Sequence, residues 1–187
     1  PADAGRCPAA EDAAPVPLLA LLKHPLAAGG MDPALFRRRT RELERVVLRG
    51  PRPEPGLHGL LATLASEAKQ AREGEYRDER KRRRLLASAG FVRRLRDILQ
   101  PFMSLTGARY VPVEDLVRAH VACAEALARR QDSADGRTLW AGEAGETAAG
   151  FVAEMMSAAR GFDRIAGRDY PGCLLYTSPS PRDGLLS

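Results

Sequence analysis

Apolar residues in this chain recur three and four positions apart in one segment after another, and proline and glycine stand between the segments. That spacing puts the apolar side chains of each segment on one face of a helix, and it does not suit the two-residue alternation of a half-buried strand. Alanine, leucine and arginine dominate, while β-branched and aromatic residues are sparse. Straight-chain residues lose little rotamer freedom in a helix, so local preference and periodicity agree. The expected fold is all-α, an irregular bundle of five or six helices. A chain of 187 residues holds one core of respectable size, so one domain or part of one is expected.

Three regions are expected. Residues 1–15, rich in Ala, Pro and Asp, read as a linker or the end of a preceding element; the chain starts at Pro1 without a methionine and reads as cut at the front. Residues 16–172 form the helical region. Residues 173–187 read as a tail, because Ser and Pro abruptly replace Ala and Arg after Gly172. The string from Cys173 to Asp183, C-L-L-Y-T-S-P-S-P-R-D, matches the translation of a transposase-type library adapter. That reading sets the tail aside from fold reasoning and implies a reading frame truncated near Gly172. The competing account is a genuine Ser/Pro-rich disordered tail.

Within the helical region the punctuation is explicit. Val16 to His24 contains the nearly continuous apolar run L-L-A-L-L, closed by Lys23-His24-Pro25 and expected to be buried on most faces. Asp32 before Pro33 pairs an N-cap acceptor with a proline at the first helical position. The helix it starts, Pro33 to Arg49, carries Leu35, Phe36, Leu43, Val46 and Val47 on one stripe, with Arg37, Arg38, Arg41, Glu42 and Arg45 filling the rest. The stretch from Gly50 to Gly56 is a proline-rich break. Helical spacing resumes from Leu57 to about Arg72. A long helix follows from about Tyr76 to Leu105, interrupted or kinked near Pro101, with Leu85, Leu86, Phe91, Val92, Leu95, Ile98 and Leu99 facing inward. Gly107 to Pro112 connects to a helix over Val113–Gln131, and a last helix starts between Leu139 and Glu143 and runs to about Asp163. No strand pattern of weight is present.

Catalytic patterns are largely excluded. Neither a phosphate-cradling G-x-x-x-x-G-K-[ST] loop nor a dinucleotide glycine loop occurs. Glu67-Ala68-Lys69 has the E-x-K spacing of metal-dependent nucleases. It falls in a helical pattern, where residues two apart point to different faces, so it reads as a solvated surface. His24, His58 and His120 have no partners at metal spacing. His120 lies on an apolar stripe and reads as a satisfied core histidine, and His24 beside Pro25 as a turn cap. Cys7, Cys123 and Cys173 are scattered and fit reduced thiols of a cytoplasmic protein, with Cys123 a small hydrophobe in a helix. No apolar run approaches the roughly 20 residues that span a bilayer, so no membrane partner is expected.

The basic run is the feature with functional content. The net charge is +5, with a pI near 9.5, which leans toward an acidic partner. Arg77, Arg80, Lys81, Arg82, Arg83 and Arg84, followed by Arg93, Arg94 and Arg96, lay positive charge along about two faces of one helix. The DNA-contacting set is Arg77, Arg80, Lys81, Arg83, Arg84, Arg93 and Arg94, reaching phosphates without sequence readout. Aromatic residues are nearly missing from this stretch, so base stacking on it is not indicated. The competing reading is a solvated arginine-rich face, balanced in part by Asp78, Glu79 and Asp97. Trp140 just ahead of a helix start reads as a packing anchor, grouped with Leu19, Leu22, Lys23 and His24 as partner-contacting or core-packing residues.

Taken together, the string from Leu18 to Leu26 (L-L-A-L-L-K-H-P-L), the following A-A-G-G-M-D-P-A-L-F-R and the segment from Val47 to Pro53 resemble the B subunit of AddAB helicase–nucleases of the alphaproteobacterial type. The segment from Leu139 to Ala149, L-W-A-G-E-A-G-E-T-A-A, falls at the matching place downstream. The resemblance spans most of Val16 to Pro171, and Ala62 to Leu105 is carried by position more than by motif. It implies a helical accessory region of a superfamily 1 helicase-like protein that processes double-strand breaks for recombinational repair, with the A subunit and DNA as partners. The family's activity uses ATP with magnesium and an iron–sulfur cluster, but none of its catalytic or cluster residues maps onto this chain. The expected cofactor, catalytic and metal sites here are therefore none. The alternative is a free-standing helical adaptor that binds proteins through the L-L-A-L-L run and has no nucleic-acid role.

Overall fold

A computed structural model describes residues 15–48, 56–73, 78–132 and 137–172. The chain is of the all-α class. Its elements are α1 (Pro15–Lys23), α2 (Pro33–Leu43), α3 (Gly56–Glu73), α4 (Glu79–Thr106), β1 (Val111–Pro112), α5 (Val113–Ala128), α6 (Gly142–Ala159) and β2 (Arg164–Ile165). A π-type turn, Glu44–Leu48, extends α2, and 3-10 turns at Arg137–Trp140 and Gly167–Asp169 precede α6 and follow β2. Among the described residues no helix is long and apolar enough to cross a membrane.

The Asp32–Pro33 signal works as its chemistry dictates. The Asp32 carboxylate accepts from the Leu35 N–H at 2.8 Å, and Pro33 opens α2 where a missing N–H costs nothing. Asp78 caps α4 in the same way through Lys81 N–H. His24 Nδ1 accepts from Leu26 N–H at 3.3 Å, which makes it the turn cap the sequence suggests.

Helix α4 organises the molecule. Its 28 residues extend about 42 Å at 1.5 Å per residue, and two cores form along it. The first is built by α1, α2, α3 and the first half of α4, with Leu22, Phe36, Leu43, Leu60, Leu64, Leu85, Val92 and Leu95 buried together. The second lies at the far end, where Val111, Leu116, Val117 and Tyr170 pack with Phe102, Leu105, Met155 and Met156. Pro101 sits inside α4, and of the expected interruption or kink the interruption is not there, since the helix continues to Thr106.

Three expectations need correction. The apolar run of α1 is buried on one side only: Leu18 and Leu22 are in the core, Leu19 is half-buried and Leu21 is 39% exposed. Leu86, expected on the inner face of α4, is 45% exposed, because it sits opposite the Leu85–Val92 side. And a two-stranded antiparallel ladder exists, with Val111 opposite Ile165 and Pro112 opposite Arg164. Strands of two residues show no alternation to detect. Of the expected linker 1–15 and the Pro-rich break 50–56, Pro15 and Gly56 open α1 and α3, and the other residues, with the adapter-like string from Cys173, lie outside the described residues.

His120 closes the second core. Its ring stacks on Phe102 at 4.9 Å, and Nδ1 is 3.2 Å from the Tyr170 hydroxyl. Burial pushes its pKa below the ordinary 6.5 by penalising the charged form. The unfolded chain therefore takes up this proton more readily, so His120's contribution to stability is complete above pH 6.5 and declines as the pH falls below it. Thermal midpoints measured on either side of that pH should show the decline, and His120→Gln should flatten it. An unchanged slope in the variant would assign the acid sensitivity to other groups.

Candidate nucleic-acid interface

The basic run becomes a surface because α4 buries only one side. Leu85, Ser88, Ala89, Val92 and Leu95 face the core. Arg83, Leu86, Gly90 and Arg93, spaced three, four and three apart, form the opposite stripe, and all four are exposed. Arg80 flanks this stripe and is exposed as well.

Not all the cations of the run are equally available. Lys81 Nζ lies 3.5 Å from Glu67 of α3, and Arg84 Nε 3.2 Å from Glu42 of α2. Arg82 pairs with Glu79 at 2.9 Å, and Arg96 with Asp97 at 3.2 Å. Arg94 is held by the turn between α1 and α2: Nε donates to Gly29 O at 2.7 Å and Nη2 to Gly30 O at 3.3 Å. That turn adopts φ of 54° and 72° at Gly29 and Gly30, a left-handed conformation glycine tolerates without a Cβ penalty. A Cβ on Gly30 would also stand 2.8 Å from Arg94 Nη2. Arg80, Arg83 and Arg93 form no ion pair among the described residues. Arg77 lies outside the described residues.

Two features escape a reading of the sequence. The outward side of α2 carries Arg38, Arg41 and Arg45, all exposed and none paired with a carboxylate among the described residues. Helix α2 is tied to α4 through Glu42 and Arg84, so the two arginine-bearing helices are neighbours. The spacing i, i+3, i+7 is legible, and the neighbouring helix is not. In contrast, α6 carries Glu143, Glu146 and Glu154 as its charged residues, so charge is sorted across the molecule. At the start of α4 the Asp78 cap and Glu79 stand at the positive end of the helix dipole, ahead of the cations from Arg80 to Arg84.

The remaining sites are structural. Leu22 is buried and Lys23 Nζ reaches Glu44 at 3.0 Å. Trp140 Nε1 donates to Glu125 Oε1 at 2.9 Å, joining the 3-10 turn to α5. Glu67 and Lys69 lie on helix α3 in ion pairs with Lys81 and Glu73. Cys123 is half-buried and burial pushes its thiol pKa up, which opposes thiolate chemistry. It is the only cysteine among the described residues, and no group of three His, Cys, Asp or Glu converges among them. A groove of about 470 Å³ between α4, α5 and the Gly29–Gly30 turn is lined by Ile98, Pro101, Ala119 and Ala122 together with the charged residues Arg94, Asp97 and Arg129.

The chain matches no protein-family model, no curated protein and no solved structure.

Proposed function

We propose that this chain is a non-catalytic helical module that contacts DNA backbones through the outward arginines of α4 and α2. We further propose that it serves as an accessory region of an AddB-like helicase–nuclease subunit in double-strand break repair. The observation carrying the DNA reading is that Arg80, Arg83 and Arg93 are exposed without a carboxylate partner among the described residues. Their neighbours in the same run are held by ion pairs or by the Gly29–Gly30 turn. Arginines left free on one side can displace counterions from phosphates, and nothing in that stripe supplies base-edge readout. Support for the subunit reading is the resemblance of the segments around Leu18–Leu26 and Leu139–Ala149. Nucleotide, magnesium and cluster chemistry would belong to other parts of such a subunit.

The test is duplex binding by the full chain across a salt series. The variant Arg80→Glu, Arg83→Glu, Arg93→Glu should weaken binding and flatten the slope of log K against log salt by about 0.9 for each phosphate no longer neutralised. Parental affinity and slope in that variant would defeat the backbone-contact reading.

The adaptor reading keeps one observation in its favour. Helix α6 buries only Gly145 and Ala159, leaving Phe151, Val152, Met155 and Met156 half-exposed. A protein interface on that side would respond little to salt, so the same titration separates the two readings.

A further inference from the structure

The β1–β2 ladder has two unlike faces. Val111 and Ile165, paired across it, turn inward to the Tyr170 core. Strand alternation sends Tyr110, Pro112 and Arg164 to the outer side. Tyr110 is 64% exposed, and Phe162, two residues ahead of Arg164, is 68% exposed. No other aromatic side chains are so exposed among the described residues. Phe162 stands just ahead of β2 and Tyr110 just ahead of β1, so the ladder joins the two segments that carry the rings. They make no ring contact with each other. The Arg109 guanidinium lies over the Tyr110 ring at 5.8 Å.

Cations flank the two rings in the sequence. Arg109, Arg160 and Arg164 are exposed without an ion pair among the described residues, whereas Arg168 is held by Asp169 at 3.7 Å and Arg118 by Glu114. The carboxylates without an ion pair among the described residues at this end are Asp115 and Asp163, so three unpaired guanidiniums meet two unpaired carboxylates. The platform is also anchored. Gly167 N–H donates to Ala108 O at 2.9 Å, and Tyr170 behind the ladder is buried. Separated, anchored rings interleaved with arginines suit a strand whose bases are unpaired. Duplex DNA hides its base faces, and a stacking platform accepts any base because every base has a π-face.

We propose that the outer side of the β1–β2 ladder is a single-stranded nucleic-acid site. Tyr110 and Phe162 stack on bases, and Arg109, Arg160 and Arg164 take the intervening phosphates. This goes beyond the backbone contact assigned to α4, and it stands on different residues.

The experiment is fluorescence anisotropy of the full chain with labelled oligothymidylate and with a duplex of equal length. Tyr110→Ser with Phe162→Ser should weaken oligothymidylate binding about tenfold per ring, about a hundredfold together, and leave duplex binding unchanged. Tyr110→Trp with Phe162→Trp should keep the parental affinity. The rings are exposed, so far-UV circular dichroism should show the serine variant folded as the parent is. The proposal is overturned if the parent fails to bind oligothymidylate or the serine variant binds it as tightly as the parent. It is equally overturned if sedimentation shows the variant losing only self-association, which would make this face a contact between copies. Reversing Arg80, Arg83 and Arg93 reads the α4 stripe separately through the duplex, so either reading can fail alone.

Discussion

Phe36→Ala should lower the free energy of unfolding by about 3–5 kcal/mol, enough to consume much of a typical domain's roughly 5–15 kcal/mol. Phe36 is fully buried, meets Phe91 edge-on at 5.2 Å and 76°, and lines the turn so closely that a Cβ on Gly29 would approach its ring at 3.1 Å. The ring therefore joins α2, α4 and the Gly29–Gly30 turn at one point. Truncation removes its transfer free energy and leaves a cavity that Leu43 and Val92, fixed on two helices, cannot fill. The denaturant midpoint should fall while the m-value stays constant, since the surface exposed on unfolding hardly changes. Leu86→Ala is the comparison, a residue of similar apolarity at 45% exposure, expected to stay within about 0.5 kcal/mol of the parent. Equal losses at the two positions would mean that the first core is not packed around Phe36.

The contrast between Phe36 and Leu86 also marks what the sequence can and cannot say. Both sit at helical spacing among apolar neighbours, and periodicity alone places both inside. The difference is tertiary: α4 packs along the side of Leu85, Val92 and Leu95, and no local signal ranks Leu86 below them. The Asp32–Pro33 start is legible because a cap is a contact within four residues. The β1–β2 ladder is not, since its pairing joins Val111 to Ile165 across more than fifty positions, and two-residue strands have no period. The basic run is legible as charge, but Glu42 and Glu67, which hold Arg84 and Lys81, come from other helices. The two exposed aromatics stand outside any motif. Tyr110 and Phe162 acquire meaning only once the ladder joins the segments that carry them.

Gly167→Ala should be the most damaging single-methyl addition in the second core. A Cβ at this position would fall on the Leu105 carbonyl oxygen and within 2.9 Å of the Thr106 backbone. Backbone at the end of α4 cannot swing aside as a long side chain can. The segment after β2 must therefore lift away, and its departure removes three things together. The Gly167 N–H to Ala108 O bond breaks, the Val111–Ile165 pairing opens, and the Tyr170 ring leaves its place against Phe102 and His120, where it is buried. Exposing an aromatic side chain from a packed site alone carries a cost of about 3 kcal/mol. Release of the anchor should also weaken oligothymidylate binding through Tyr110 and Phe162 while sparing duplex binding at α4. Gly150→Ala is the control, because position 150 lies inside α6 with nothing near the added methyl, and alanine there should stabilise by about 0.5–1 kcal/mol. Amide exchange at Val111 and Ile165 discriminates the mechanism: if those amides stay as protected in Gly167→Ala as in the parent, the ladder does not depend on the close approach at Gly167.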